Sequence, residues 1–183
     1  MRIRTSAAWA CVATVFLAGC GGGSTSGSSG CKLESGGTAP RSNAHPSETM
    51  LLADVKIESR ECSDRVEFAF RPSPPGPPGF RVSYLPAERA LVEDGSGAPI
   101  DLQGSAYLVV RFEPAATADL SSGEELVRTY TGPKRLDAPN GRHVREVVKS
   151  GDFEAVVTWV IGVDEERPFR TTVSDTGLVV EIG

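Results

Sequence analysis

From Arg65 the chain alternates: Arg65-Val66-Glu67-Phe68-Ala69-Phe70 sets Val66, Phe68 and Phe70 on one side and Arg65, Glu67 and Ala69 on the other. Successive side chains of an extended chain point to opposite faces, so this pattern fits a strand with one face buried. Phe80, Val82 and Tyr84 repeat it, as do Leu108, Val110 and Phe112. The run from Phe153 to Ile161 is long, β-branched and almost unbroken, which predicts a central strand covered on both sides. Leu178-Val179-Val180-Glu181-Ile182 closes the chain as a last strand.

Turn formers punctuate these runs: PSPPGPPG at 72–79, EDGSGAP at 93–99, SSG at 121–123, TGP at 131–133, APNG at 138–141, SGD at 150–152 and SDTG at 174–177. Strands at such close intervals with no sustained helical period predict an all-β fold, a sandwich or a barrel. One short helical turn is expected over Pro114–Leu120, where proline occupies a possible first helical position.

Upstream the sequence changes character. Arg2 and Arg4 precede an apolar run from Ala7 to Ala18, the charged and hydrophobic regions of a signal peptide, and too short for the roughly 20 residues of a spanning helix. The run ends in Leu17-Ala18-Gly19-Cys20, which resembles the lipobox of bacterial lipoproteins. That resemblance implies cleavage before Cys20, a diacylglycerol on its thiol, and a lipid-anchored protein on the extracytoplasmic face of the cell membrane. Ten glycine, serine and threonine residues then lead to Cys31. The stretch from Lys32 to Ser47 is nearly devoid of apolar residues and carries two prolines, so it reads as more of the same spacer. The expected organisation is a signal peptide at 1–19, a flexible, disordered linker at 20–49 and one folded domain at 50–183.

The sequence has four cysteines. Cys11 leaves with the signal peptide and Cys20 carries lipid, so Cys31 and Cys62 remain, an even pair in an exported chain that is expected to be bridged. The alternatives are two free thiols or pairing with another protein. Without Arg2 and Arg4 the chain holds 17 basic against 24 acidic residues, a net charge of −7. That balance argues against nucleic acid as a partner and against attraction to anionic headgroups.

The stretches SDRVEFAF, PGFRVSYL, GSGAPIDLQGSAYLVVRFEPA and GDFEAVVTWVIGVD, followed by RPFRTTV and LVVEI, resemble the AMIN-like domain of bacterial lipoproteins. The resemblance spans about residue 50 to the end. By similarity to the AMIN domain it implies a β-sandwich of two small sheets. AMIN domains are non-catalytic parts of cell-wall amidases and secretion-pore proteins, which implies binding to peptidoglycan or to an envelope complex. AMIN-type chains often end in Pro-Arg-Leu-Val-Val-Asp, and here Asp175-Thr176-Gly177 stands before the last strand.

A catalytic set is hard to assemble. The histidines are His45, in the linker-like tail, and His143, too few for an amidase zinc site. No Gly-x-Ser-x-Gly elbow is present, and the acidic pairs lie in turn-like segments where solvated charge is the ordinary role. No metal or cofactor is expected, and a cell-wall hydrolase ranks behind a binding module. The candidate binding surface is made of outward positions: Arg81; Tyr107 and Arg111 on one strand; Arg128 and Tyr130 on another. Arginine beside tyrosine can stack on sugars and pair with peptide carboxylates. The alternative is a protein-interaction module that docks on a membrane complex. Trp159 shares its face with Val157 and Ile161 and is expected in the core.

Overall fold

The computed structural model describes residues 31, 33–44, 46–119, 123 and 125–183. Thirteen strands are formed: β1 (Arg41–Ser42), β2 (Met50–Ser59), β3 (Asp64–Phe70), β4 (Phe80–Tyr84), β5 (Ala106–Phe112), β6 (Ala115–Ala116), β7 (Ala118–Asp119), β8 (Val127–Arg128), β9 (Arg135–Asp137), β10 (Val144–Phe153), β11 (Val156–Val163), β12 (Phe169–Ser174) and β13 (Gly177–Ile182). No helix occurs among the described residues. One sheet has six strands in the order β1-β4-β5-β11-β10-β9, the other five in the order β12-β13-β3-β2-β6, and β7 with β8 forms a small ribbon.

The two large sheets pack face to face, and period two explains which side chains meet. Val66, Phe68 and Phe70 of β3 are buried, as are Leu108, Val110 and Phe112 of β5. Phe112 receives the edges of Phe68 and Phe70, with ring centroids 5.2 and 5.0 Å away. Trp159 of β11 is fully buried, 6.1 Å from Phe68. Burying each such side chain contributes about 1.5–3 kcal/mol, and these aromatics form the middle of the sandwich.

Three local expectations are corrected. The long strand expected over Phe153–Ile161 is a hairpin: β10 ends at Phe153, Glu154 and Ala155 turn with φ of 52° and 58°, and β11 begins at Val156. The turn expected at Ser150-Gly151-Asp152 lies inside β10, where the register against β11 shifts between Lys149 and Gly151. Gly151 is needed there because a Cβ would sit 2.1 Å from Asp94 Oδ2. The helical turn expected from Pro114 gives way to β6, which runs parallel to β2. Met50 donates its N–H to the Pro114 carbonyl at 3.0 Å and Ala115 donates to that of Ala155 at 2.8 Å, so sheet partners claim the backbone groups a helix would use.

A fourth difference concerns the segment ahead of residue 50. Cys31 is joined to Cys62 by the expected disulfide, but the residues after it are more than a spacer. Leu33 is buried, and Gly37 exchanges both backbone hydrogen bonds with Phe169 on β12, at 3.1 and 3.0 Å. Four residues later β1 pairs with β4. The compact unit therefore runs from Cys31 to Gly183, and its first residues form a strap that joins the β12 edge of one sheet to the β4 edge of the other.

Candidate functional site

The outer face of the six-stranded sheet is divided in two. Over one half lies the connection between β4 and β5, whose Leu91, Ile100 and Leu102 pack on Tyr107, Val109, Val148 and Val160. Glu146 of β10, only 2% exposed, holds this connection down. One of its carboxylate oxygens accepts the Gln103 N–H at 3.0 Å and the other pairs with Arg135, which in turn donates to the Asp101 carbonyl at 2.8 Å. Tyr107 is half-buried beneath the same connection, its hydroxyl donating to the carbonyls of Leu102 and Gly104 at 3.3 and 3.4 Å.

The other half is bare, and Arg81 and Arg111 lie on it. They are direct register partners across β4 and β5. Phe80 and Val82 turn into the core, as do Val110 and Phe112, so both arginines must turn out. Arg111 is held by Glu113, its Nε and Nη2 donating to Oε2 at 3.2 and 3.0 Å. Among the described residues the Arg81 guanidinium makes no hydrogen bond or ion pair. Like charges set directly opposite one another destabilise a sheet, so the placement costs stability and needs another reason.

Beside the pair is a hollow of about 180 Å³ lined by Ser42, Asn43, Phe80, Arg81, Arg111 and Glu113. The strap builds one wall. Asn43 Nδ2 donates to the Pro78 carbonyl at 2.9 Å, its Oδ1 accepts the Phe80 N–H at 2.7 Å, and its own N–H reaches the Phe80 carbonyl at 3.3 Å. Three bonds thus fix β1 against β4. Ser42, Asn43 and Glu113 were not read from the sequence. The first two lie in a segment without apolar period, and only the spacing Arg111-x-Glu113, with Glu113 just past the end of β5, was available as a signal.

The remaining candidates separate. Arg128 is exposed, but it lies on the β7–β8 ribbon, opposite Ala118. Tyr130 is a correction: it is 6% exposed, its ring stands edge-on to Trp159 at 5.5 Å, and its hydroxyl donates to the Pro133 carbonyl at 2.7 Å. β8 stops at Arg128, and Thr129 turns inward to donate to the Leu52 carbonyl at 2.7 Å, so the alternation that would have shown Tyr130 beside Arg128 is broken. Burial pushes the Tyr130 hydroxyl above its usual pKa.

At the opposite end of β5 and β11 from the arginine pair, Asp164 takes two hydrogen bonds from Arg167, at 2.9 and 3.1 Å, and lies 3.5 Å from His143 Nδ1. Burial opposes its charge, but the Arg167 guanidinium together with His143 and the Glu165 N–H outweighs it and holds the carboxyl below its usual range. Tyr84 clamps the same turn, donating to the Arg167 carbonyl at 2.8 Å and accepting the Arg167 N–H at 2.9 Å. Every member of this cluster is already paired within the chain, and that makes it a brace for the β11–β12 turn.

What the fold and site define is an all-β sandwich with a bare arginine pair on one sheet. Residues 50–183 match the AMIN-like domain, and the chain belongs to that family. No curated protein and no solved structure matches it. The family match begins at β2, so the strap, with Ser42 and Asn43 of the hollow, lies ahead of it.

Proposed function

We propose that this protein is a non-catalytic module of the bacterial cell envelope that binds peptidoglycan through the bare half of its six-stranded sheet. The observation that carries the reading is the Arg81 guanidinium, left without a partner among the described residues beside Arg111 on a chain whose overall charge is −5. AMIN-like membership supports it, through the similarity to AMIN domains that serve cell-wall amidases. The lipobox-like Leu17-Ala18-Gly19-Cys20 lies outside the described residues, and it supports a lipid tether at Cys20 on the extracytoplasmic side of the membrane.

Co-sedimentation with purified peptidoglycan tests the reading. The chain should pellet with the wall material and remain there at moderate salt, where bulk charge attraction is screened. A chain that stays in the supernatant is a module that docks on a protein, and wall binding then fails. Release of soluble wall fragments in the same tube would overturn the non-catalytic part. Labelling by a fatty-acid probe that persists in Cys20→Ala would overturn the tether.

A further inference from the structure

We propose that the hollow beside Arg81 and Arg111 receives the terminal carboxylate of a peptide, and in particular a peptide that ends in a small residue. The proposal deepens the wall-binding reading and rests on it only for the source of the peptide. Its ligand chemistry comes from the charges and the shape of the hollow.

The charges select a monoanion. Arg111 already has Glu113 as a partner, at 3.0 Å, whereas among the described residues the Arg81 guanidinium has none, so Arg81 brings a positive charge that no described side chain balances. A single carboxylate neutralises it. A phosphate dianion would bring a second negative charge beside Glu113. Guanidinium groups present planar N–H forks that match a carboxylate in two-point contact, and two of them facing each other across neighbouring strands can share one such group.

The shape narrows the ligand further. A hollow of about 180 Å³ is smaller than the 300–1,000 Å³ of an ordinary small-molecule site and takes only an end group. Stacking on a sugar needs an open aromatic face, and the residues that line the hollow do not supply one: the ring of Phe80 lies in the core, and the exposed Phe153 is not among the lining residues. Ser42 at β1 lines the hollow, and Phe80 borders it while its ring turns into the core. With the carboxylate directed at the arginines, a space of that size leaves room for a side chain as short as a methyl group.

Calorimetric titration of the whole chain with N-acetyl-alanyl-alanine, and with the same dipeptide closed as its C-terminal amide, tests the proposal. The free acid should bind at least tenfold more tightly than the amide. Arg81→Ala should weaken the acid at least tenfold, and Arg81→Lys should restore only part of the loss because an ammonium keeps the charge without the fork. Equal binding of acid and amide overturns the proposal on the unaltered chain, whatever the variants do. Inorganic phosphate that competes as well as the acid overturns it too, since the hollow would then be a general anion site. The two readings fail separately: a chain that distinguishes acid from amide but ignores peptidoglycan keeps the carboxylate hollow and loses the wall, and a chain that pellets with peptidoglycan but does not distinguish them does the reverse.

Discussion

Asp64, the first residue of β3, accepts the backbone N–H groups of His143 and Val144 at 2.6 and 2.8 Å, and so ties one sheet of the sandwich to the other at the start of β10. The carboxylate is fully buried. Burial opposes its ionisation, but the hydrogen bonds it accepts, led by those from His143 and Val144, together outweigh burial and hold its pKa below the usual value.

Asp64→Ala should therefore destabilise the domain by about 3 kcal/mol, since it strands two donors, one of them on fully buried Val144. In the folded chain Asp64 gives up its proton at lower pH than in the unfolded chain, so the unfolded state binds more protons between the two values. The stability due to Asp64 is complete above the ordinary carboxyl range of roughly 4 and is lost as pH falls through the folded value. Urea melts of the wild type and Asp64→Asn across that range check it: the gap between them should narrow on acidification.

Glu146 and Gly162 serve one purpose from neighbouring strands, which is to let the β4–β5 connection lie flat on the sheet. A Cβ on Gly162 would stand 2.0 Å from the Gln103 carbonyl oxygen, a backbone atom that cannot turn aside. Gly162→Ala should lift the connection, and Glu146→Ala should free it at Gln103. Both should accelerate amide hydrogen exchange at Gln103 and cost about 1–3 kcal/mol, with exchange in β3 and β13 changed only by the global loss.

Side-chain period revealed the strands whose two faces differ, and little else. β3, β4 and β5 each have a core face and an open face, and each was readable for that reason. β10 is buried along most of its length, at Val144, Glu146, Val147, Val148, Ser150 and Gly151, so its alternation is erased. The β10–β11 turn was invisible because neither Glu154 nor Ala155 is a residue that favours positive φ. The strap was invisible for a different reason. Its hold on the sheets comes from backbone hydrogen bonds at Gly37 and β1 and from the Asn43 amide, none of which imposes a pattern on apolar residues. Of the candidate site, Arg81 and Arg111 were legible as outward positions, but that they face each other depends on the β4–β5 register, which one strand's sequence does not contain.

The strap should matter to stability even though it precedes the family match. Cys31 and Cys62 are 31 residues apart, and closing a loop of that size is worth about 2–4 kcal/mol on the chain-entropy account. Cys31→Ser should lose roughly that amount under oxidising conditions. A chain begun at residue 50 should lose more, because it also gives up the buried Leu33 and the pairing of β1 with β4. Denaturant titrations of the three proteins give the order, and a chain from residue 50 as stable as the whole would show that the strap contributes nothing.

The turn between β10 and β11 offers a substitution that should strengthen the fold. Glu154 and Ala155 both hold positive φ, 52° and 58°, in a two-residue connection between Phe153 and Val156, which are register partners. Such a connection matches the right-handed twist of its strands, but it charges a side chain with a Cβ about 1 kcal/mol or more at each position. Asparagine and glycine adopt this conformation most readily. Glu154→Asn together with Ala155→Gly should raise stability by about 1 kcal/mol, the gain being limited by the extra freedom glycine has in the unfolded chain. The Ala155 carbonyl that accepts from Ala115 belongs to the backbone and is kept, so β6 should remain paired with β2. Thermal melts of the double variant decide the matter: a lower midpoint than wild type would mean that the Glu154 or Ala155 side chain makes a contribution larger than the strain it carries.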